Sequence, residues 1–172
     1  MRLLSQVFAI DVCAYTIMSS HYHLVLHVDV ALAGSWSDEV VAQRWTTLYK
    51  APLLVSRWLA GDVKTKAETA KVLELITLWR ERLTDISWFM RNLNEYVARE
   101  ANKEEGCKGR FWEGRFKSQA LLSCMVYVDL NPIRAEMAST IEESEFTSIY
   151  ERIHSVACQQ DTEKGGVTVM TI

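Results

Sequence analysis

Apolar residues crowd the N-terminal part of the chain in two short runs, Ala9 to Met18 and a histidine-bearing stretch from His21 to Val28, with Ser19-Ser20 between them. Runs of this length, rich in Val, Ile, Leu and Tyr, predict two strands, and the short polar break predicts an antiparallel hairpin. Side chains alternate between faces along a strand, so His21, His23, Val25 and His27 fall on one face and Tyr22, Leu24, Leu26 and Val28 on the other. The second face is expected to be buried.

The period then becomes helical. From Ser37 to Leu59 apolar residues recur at helical spacing behind a Ser37-Asp38 start, Pro52 should break or kink that stretch, and Gly61-Asp62 should end it. Lys66 to Leu83 reads as an amphipathic helix with Ala70, Leu73, Ile76, Leu78 and Trp79 towards the core. Asp85 is placed to cap a further helix running to about Ala101, whose inner stripe is Ile86, Phe89, Met90, Leu93 and Val97. Gly106 and Gly109 mark a turn. Gln119 to Leu130 is a short apolar helix candidate that Asn131-Pro132 should end, and Ser123, Tyr127 and Asn131, spaced by four, form a polar stripe on it. A further turn over Arg134 to Met137 and a last helix over Ser144 to Ile153 precede a polar, glycine-containing tail, 156–172, expected to be mobile.

With 172 residues, 49% of them hydrophobic and 24% charged, the expectation is one domain over 1–155. No apolar run reaches the roughly 18–20 residues of a membrane span, and the N-terminus lacks the order of a signal peptide, so a cytoplasmic address is expected. The four cysteines are scattered without a C-x-x-C pair, which suggests neither a zinc cage nor a disulfide framework.

Two segments carry candidate chemistry. His21 and His23 stand about 6.5–7 Å apart along a strand, close enough for both rings to converge on one divalent ion. An isolated pair of this kind is equally compatible with a half-buried strand that holds no ligand. His27 reads as a supporting group for such a site or as a polar residue on the open face. The second segment, Lys108 to Lys117, places four cations against one anion in a chain of net charge −3. Phe111, Trp112 and Phe116 interleave with Arg110, Arg115 and Lys117, which suits phosphates and unpaired bases. An edge strand with solvated cations would look the same.

Taken together with Tyr127 and Asn131, these segments suit one reaction. A metal on His21 and His23 would polarise a phosphoryl oxygen while the Tyr127 hydroxyl attacks phosphorus and a deoxyribose 3′ oxygen leaves. The product is a 5′-phosphotyrosyl DNA ester, whose reverse attack by a 3′-hydroxyl joins strands without ATP. Asn131 could add a carbonyl oxygen to the metal.

Met18-Ser-Ser-His-Tyr-His-Leu-Val-Leu, Gly109-Arg-Phe-Trp-Glu-Gly-Arg-Phe-Lys-Ser and Tyr127-Val-Asp-Leu-Asn-Pro-Ile-Arg-Ala resemble, in that order, the motifs of the REP-associated tyrosine transposases, single-tyrosine HUH enzymes. The likeness runs to about Ile149. It implies an α+β fold, a ferredoxin-like antiparallel sheet carrying the histidine pair, flanked by helices and with a helix-rich middle insertion. It also implies cleavage and rejoining of single-stranded DNA near hairpins, with Mg2+ or Mn2+, in a bacterial, nucleoid-associated setting. Within that resemblance His21 and His23 match the histidine pair, Tyr127 the nucleophile and Asn131 the polar residue one turn later. Lys108, Arg110, Trp112, Arg115 and Lys117 are the candidate DNA contacts.

The chain departs from the family pattern in two ways. Members begin with a strand and helix ahead of the position of Met1, and they have roughly six more residues before the tyrosine, about 9 Å of helix. An inactive remnant that binds hairpin DNA is therefore one alternative. A metal-dependent hydrolase unrelated to DNA is another, with Asp29 or His27 as third ligand and no role for Tyr127. Tyr96 is a competing nucleophile.

Overall fold

The computed structural model describes residues 1–18, 21–112, 114, 128, 130–135, 137–141 and 143–154. They form an α+β arrangement in which helices flank a two-stranded antiparallel sheet of β1 (Ile10–Ile17) and β2 (Tyr22–Val28). The Met18 N–H donates to the His21 carbonyl at 2.8 Å and closes the expected hairpin. The chain divides into two compact units, Met1–Asp11 with His27–Ser118 and Val12–Leu26 with Gln119–Ile172.

The first unit is helical. It contains α1 (Arg2–Val7), α2 (Val30–Ser35), α3 (Asp38–Leu48), α4 (Leu53–Leu59), α5 (Lys66–Arg82) and α6 (Ile86–Glu104). Pro52 separates α3 from α4 as anticipated, standing at the N-cap of α4, where its missing N–H costs nothing. Each long helix begins at an oxygen-bearing cap. Ser37 accepts from the Val40 N–H, Thr65 from the Glu68 N–H, and Asp85 from the Ser87 N–H. At Thr65 the exchange is reciprocal, because its hydroxyl donates to the Glu68 carboxylate at 2.7 Å. That bond holds the Glu68 carboxyl below the usual carboxylate range, with Arg57 adding to the effect.

The core of this unit is built by Val41, Ala42 and Trp45 of α3, Val72, Ile76 and Trp79 of α5, and Phe89, Met90 and Leu93 of α6. Phe8 meets Phe89 edge to face at 5.5 Å, and Trp45 stacks on Trp79 at 5.7 Å. The inner stripe of α6 matches the sequence expectation. That of α5 does so in part: Ile76 and Trp79 are buried as expected and Val72 joins them, whereas Ala70, Leu73 and Leu78 face outward. Apolar residues occur on both sides of α5, and the Trp45 indole of α3, stacked on Trp79, selects the side that is covered.

Two short helices were not evident in the sequence, and each is held by a polar side chain, local for α2 and distant in sequence for α1. Asp29 caps α2 by accepting from the Leu32 N–H at 2.8 Å. Arg44 of α3 donates to the carbonyls of Gln6 and Val7, which satisfies the open C-terminal end of α1. Arg80 of α5 joins further elements, donating to the carbonyls of Ala33 and Trp36 at 2.6 and 2.7 Å and to Asp38 at 2.8 Å.

In the second unit the Tyr15 N–H donates to Ser148 Oγ, the Ile17 N–H donates to the Phe146 carbonyl, and Thr16 and Thr147 form an antiparallel bridge. Residues 148–154 are helical, close to the expected last helix. Asn131–Arg134 form a four-residue helix, α7. Pro132 therefore lies in a first helical turn instead of only ending a helix, since proline lacks just the N–H that a first turn leaves unbonded. The predicted helix over Gln119 to Leu130 falls almost wholly outside the described residues, as does the tail 156–172. No described helix is long and apolar enough to cross a membrane. Cys13 and Cys107 are free thiols.

Candidate functional site

The histidine pair belongs to the second unit. His23 lies within β2, and His21 stands just ahead of it at the end of the hairpin turn. Their side chains lean together until the ring centroids are 5.0 Å apart and nearly perpendicular, at 89°. That is closer than strand spacing alone requires. Burial lowers the His23 pKa, and the neighbouring His21 lowers it further. Both effects oppose protonation and so favour the neutral imidazole, the form that donates to a metal.

The expected buried face of β2 is only partly realised, because Tyr22, Leu24, Leu26 and Val28 are all half-buried. Tyr22 is covered enough for its phenol pKa to be pushed up to about 12 by burial. His27 lies in the first unit, where its ring faces the Asp11 carboxylate across the hairpin at 3.8 Å, and both side chains are well exposed. Asp29 is engaged as the α2 cap. Each of the two hydrolase candidates thus has a neighbour in the fold of its own unit.

Asn131 opens α7 and is 8% exposed, yet its side-chain Nδ2 has no hydrogen-bond partner. A buried amide without an acceptor costs about 1–3 kcal/mol, which is unusual at a purely structural position. Among the described residues no three His, Cys, Asp or Glu side chains gather around one point. The two imidazoles could thus supply at most two nitrogen ligands to a divalent ion. Tyr127 lies outside the described residues. The competing Tyr96 is on α6 and 65% exposed.

The basic aromatic segment belongs to the first unit, and its described part is not a strand. Gly106 ends α6 with φ at 63°, in the left-handed region that glycine adopts without strain. Its N–H donates to the Lys103 carbonyl and that of Cys107 to the Asn102 carbonyl, the paired bonds that reverse a chain at a helix end. The chain then returns along α6. Asn102 donates its side-chain amide to the Gly109 carbonyl at 3.1 Å, and Trp112 donates its indole N–H to the Asn94 carbonyl at 2.9 Å. Arg110 Nε donates to the Trp112 carbonyl at 2.8 Å.

Trp112 is thereby anchored, half-buried, while Phe111 meets it edge to face at 4.8 Å and is 38% exposed. Lys108 and Arg110 are exposed. Arg115 and Lys117 lie outside the described residues. Sequence reasoning missed Asn102, whose side chain holds the segment, and the contact at Asn94 is made by its main-chain carbonyl, which no residue type could have signalled.

Comparison of the chain with protein-family models, with curated proteins and with solved structures finds no match to any of them.

Proposed function

We propose that this chain is a single-tyrosine DNA strand transferase of the REP-associated type, built on a ferredoxin-like HUH fold, that cleaves and rejoins single-stranded DNA beside hairpins. The observation that carries the reading is the convergence of the His21 and His23 rings. A bound Mg2+ or Mn2+ would supply positive charge at the phosphoryl oxygen. His21 and His23 would hold it through ring nitrogens, and Asn131 would offer an amide oxygen.

The Tyr127 hydroxyl attacks phosphorus, an O–P bond forms, the bond to the deoxyribose 3′ oxygen breaks, and the tyrosine proton passes to solvent. DNA remains attached through its 5′ phosphate, and attack by a 3′-hydroxyl reverses the step. Lys108, Arg110, Arg115 and Lys117 offset phosphate charge and orient the strand. Trp112 supports that segment from below, a change from its expected part as a stacking ring.

The test is incubation with a labelled hairpin oligonucleotide and Mn2+, followed by denaturing electrophoresis. A covalent protein–DNA band is expected in the native chain and in Tyr96→Phe, and none in Tyr127→Phe. Survival of the band in Tyr127→Phe would remove that nucleophile. DNA binding without any band in the native chain would instead favour the silent hairpin-binding remnant.

A further inference from the structure

The helix that holds the basic segment also carries cations and an aromatic ring beyond it. At 3.6 residues per turn, Trp88, Arg91, Asn94 and Asn102 of α6 fall within a sector about 120° wide. Most of that sector lies away from the buried stripe of Phe89, Met90 and Leu93, while at its edge the half-buried Trp88 ring packs edge-on against Trp45 at 5.4 Å. Asn94 and Asn102 fix the returning segment to this face. One turn before Asn94 stands Arg91, and its guanidinium lies 5.1 Å from the Trp88 ring centre. Arg82, at the end of α5, lies 4.4 Å from the same ring.

An indole thus carries two guanidinium groups. Among the described residues neither arginine forms an ion pair, whereas the acidic neighbour Glu95 is met by Arg99. Arginines held by a ring lose less freedom on binding a phosphate than free ones do, and the planar groups leave their N–H edges for an anion.

From this juxtaposition we infer that the outer face of α6 is a continuous track for single-stranded nucleic acid, running from Lys108, Arg110 and Phe111 on the returning segment to Arg91, Trp88 and Arg82. The inference rests on the reading that the basic segment contacts DNA, and it extends that contact to residues that no sequence motif marks. From Asn102 to Trp88 the helix rises about 21 Å, the length of about six stacked nucleotides. Phe111 offers a face for a base at one end, and the arginines offer phosphate contacts at the other. Alternation of rings and cations suits a strand of bases and phosphates better than an acidic peptide, which has nothing to stack.

Fluorescence anisotropy with a labelled oligo-dT of twenty nucleotides, over a series of salt concentrations, tests the track in the full chain. Arg91→Gln and Arg82→Gln should each weaken binding about fivefold at 0.1 M salt and reduce the slope of log affinity against log salt by about 0.7. Phe111→Leu should weaken binding about fivefold with the slope unchanged. Lys71→Gln, on α5, should change neither. Arg91 is exposed, so its variant keeps the fold, and circular dichroism checks this for all of them.

If Arg91→Gln and Arg82→Gln bind as the native chain does while Lys108→Gln and Arg110→Gln do not, the track is overturned and the DNA reading stands. Absence of binding by the native chain overturns both. Displacement of the oligonucleotide by poly-glutamate at equal charge also overturns the track, in favour of an acidic peptide.

Discussion

Thr16 is fully buried in β1, and its hydroxyl has no hydrogen-bond partner, although the Thr147 hydroxyl beside it donates to the Ser144 carbonyl at 2.6 Å. A buried hydroxyl left without a partner is a standing cost, and valine has the same shape and a strong preference for strands. Thr16→Val should therefore raise stability by about 1 kcal/mol, seen as a higher urea midpoint with an unchanged slope. An unchanged or lower midpoint would mean that the hydroxyl does form a bond. Asn131 presents the same kind of unsatisfied atom. There an apolar replacement is expected to lose function, because the proposed reaction uses the amide oxygen. Two orphaned polar groups in one small unit thus have opposite expected responses, and only their chemistry separates them.

At the scale of elements, polar side chains decide how the short helices attach. Arg80 binds two carbonyls at the end of α2 and the carboxylate of Asp38 in the first turn of α3, all within 2.8 Å. Hydrogen bonds from a charged donor are worth about 1.5–3 kcal/mol, and here the carbonyls would be left with poorer partners. Arg80→Met is expected to cost about 2–3 kcal/mol in urea unfolding. A loss under about 0.5 kcal/mol would show that water replaces the guanidinium without penalty. The helix α5 that carries Arg80 shows how far periodicity reads. Its existence and its length were legible, and so were Ile76 and Trp79 of its buried side, but Val72 was not, since Leu73 and Leu78 compete with it for the core.

On the scale of the whole molecule, the metal reading has a thermodynamic consequence for folding. A ligand that binds only the native chain stabilises it, by about 2.7 kcal/mol at a concentration one hundred times its Kd. Mn2+ should accordingly raise the thermal midpoint of the native chain, and His21→Ala or His23→Ala should abolish the rise. Equal stabilisation of both variants would place the ion elsewhere. The sequence by itself determined the hairpin, the break at Pro52, the capped starts of α3 and α6, the extent of α5 and the inner stripe of α6. Each follows from local rules of period, proline and capping that act over a few residues. It also singled out His21, His23 and the basic segment as chemistry in need of a setting. Tertiary structure alone decided that the two imidazoles lean together, that Val72 of α5 is covered while Leu73 and Leu78 are not, and that Trp112 serves as an anchor on α6. It also decided that α1 ends under Arg44 and that Arg82 and Arg91 share one indole. These outcomes depend on partners tens of residues away, whose identity no local period encodes.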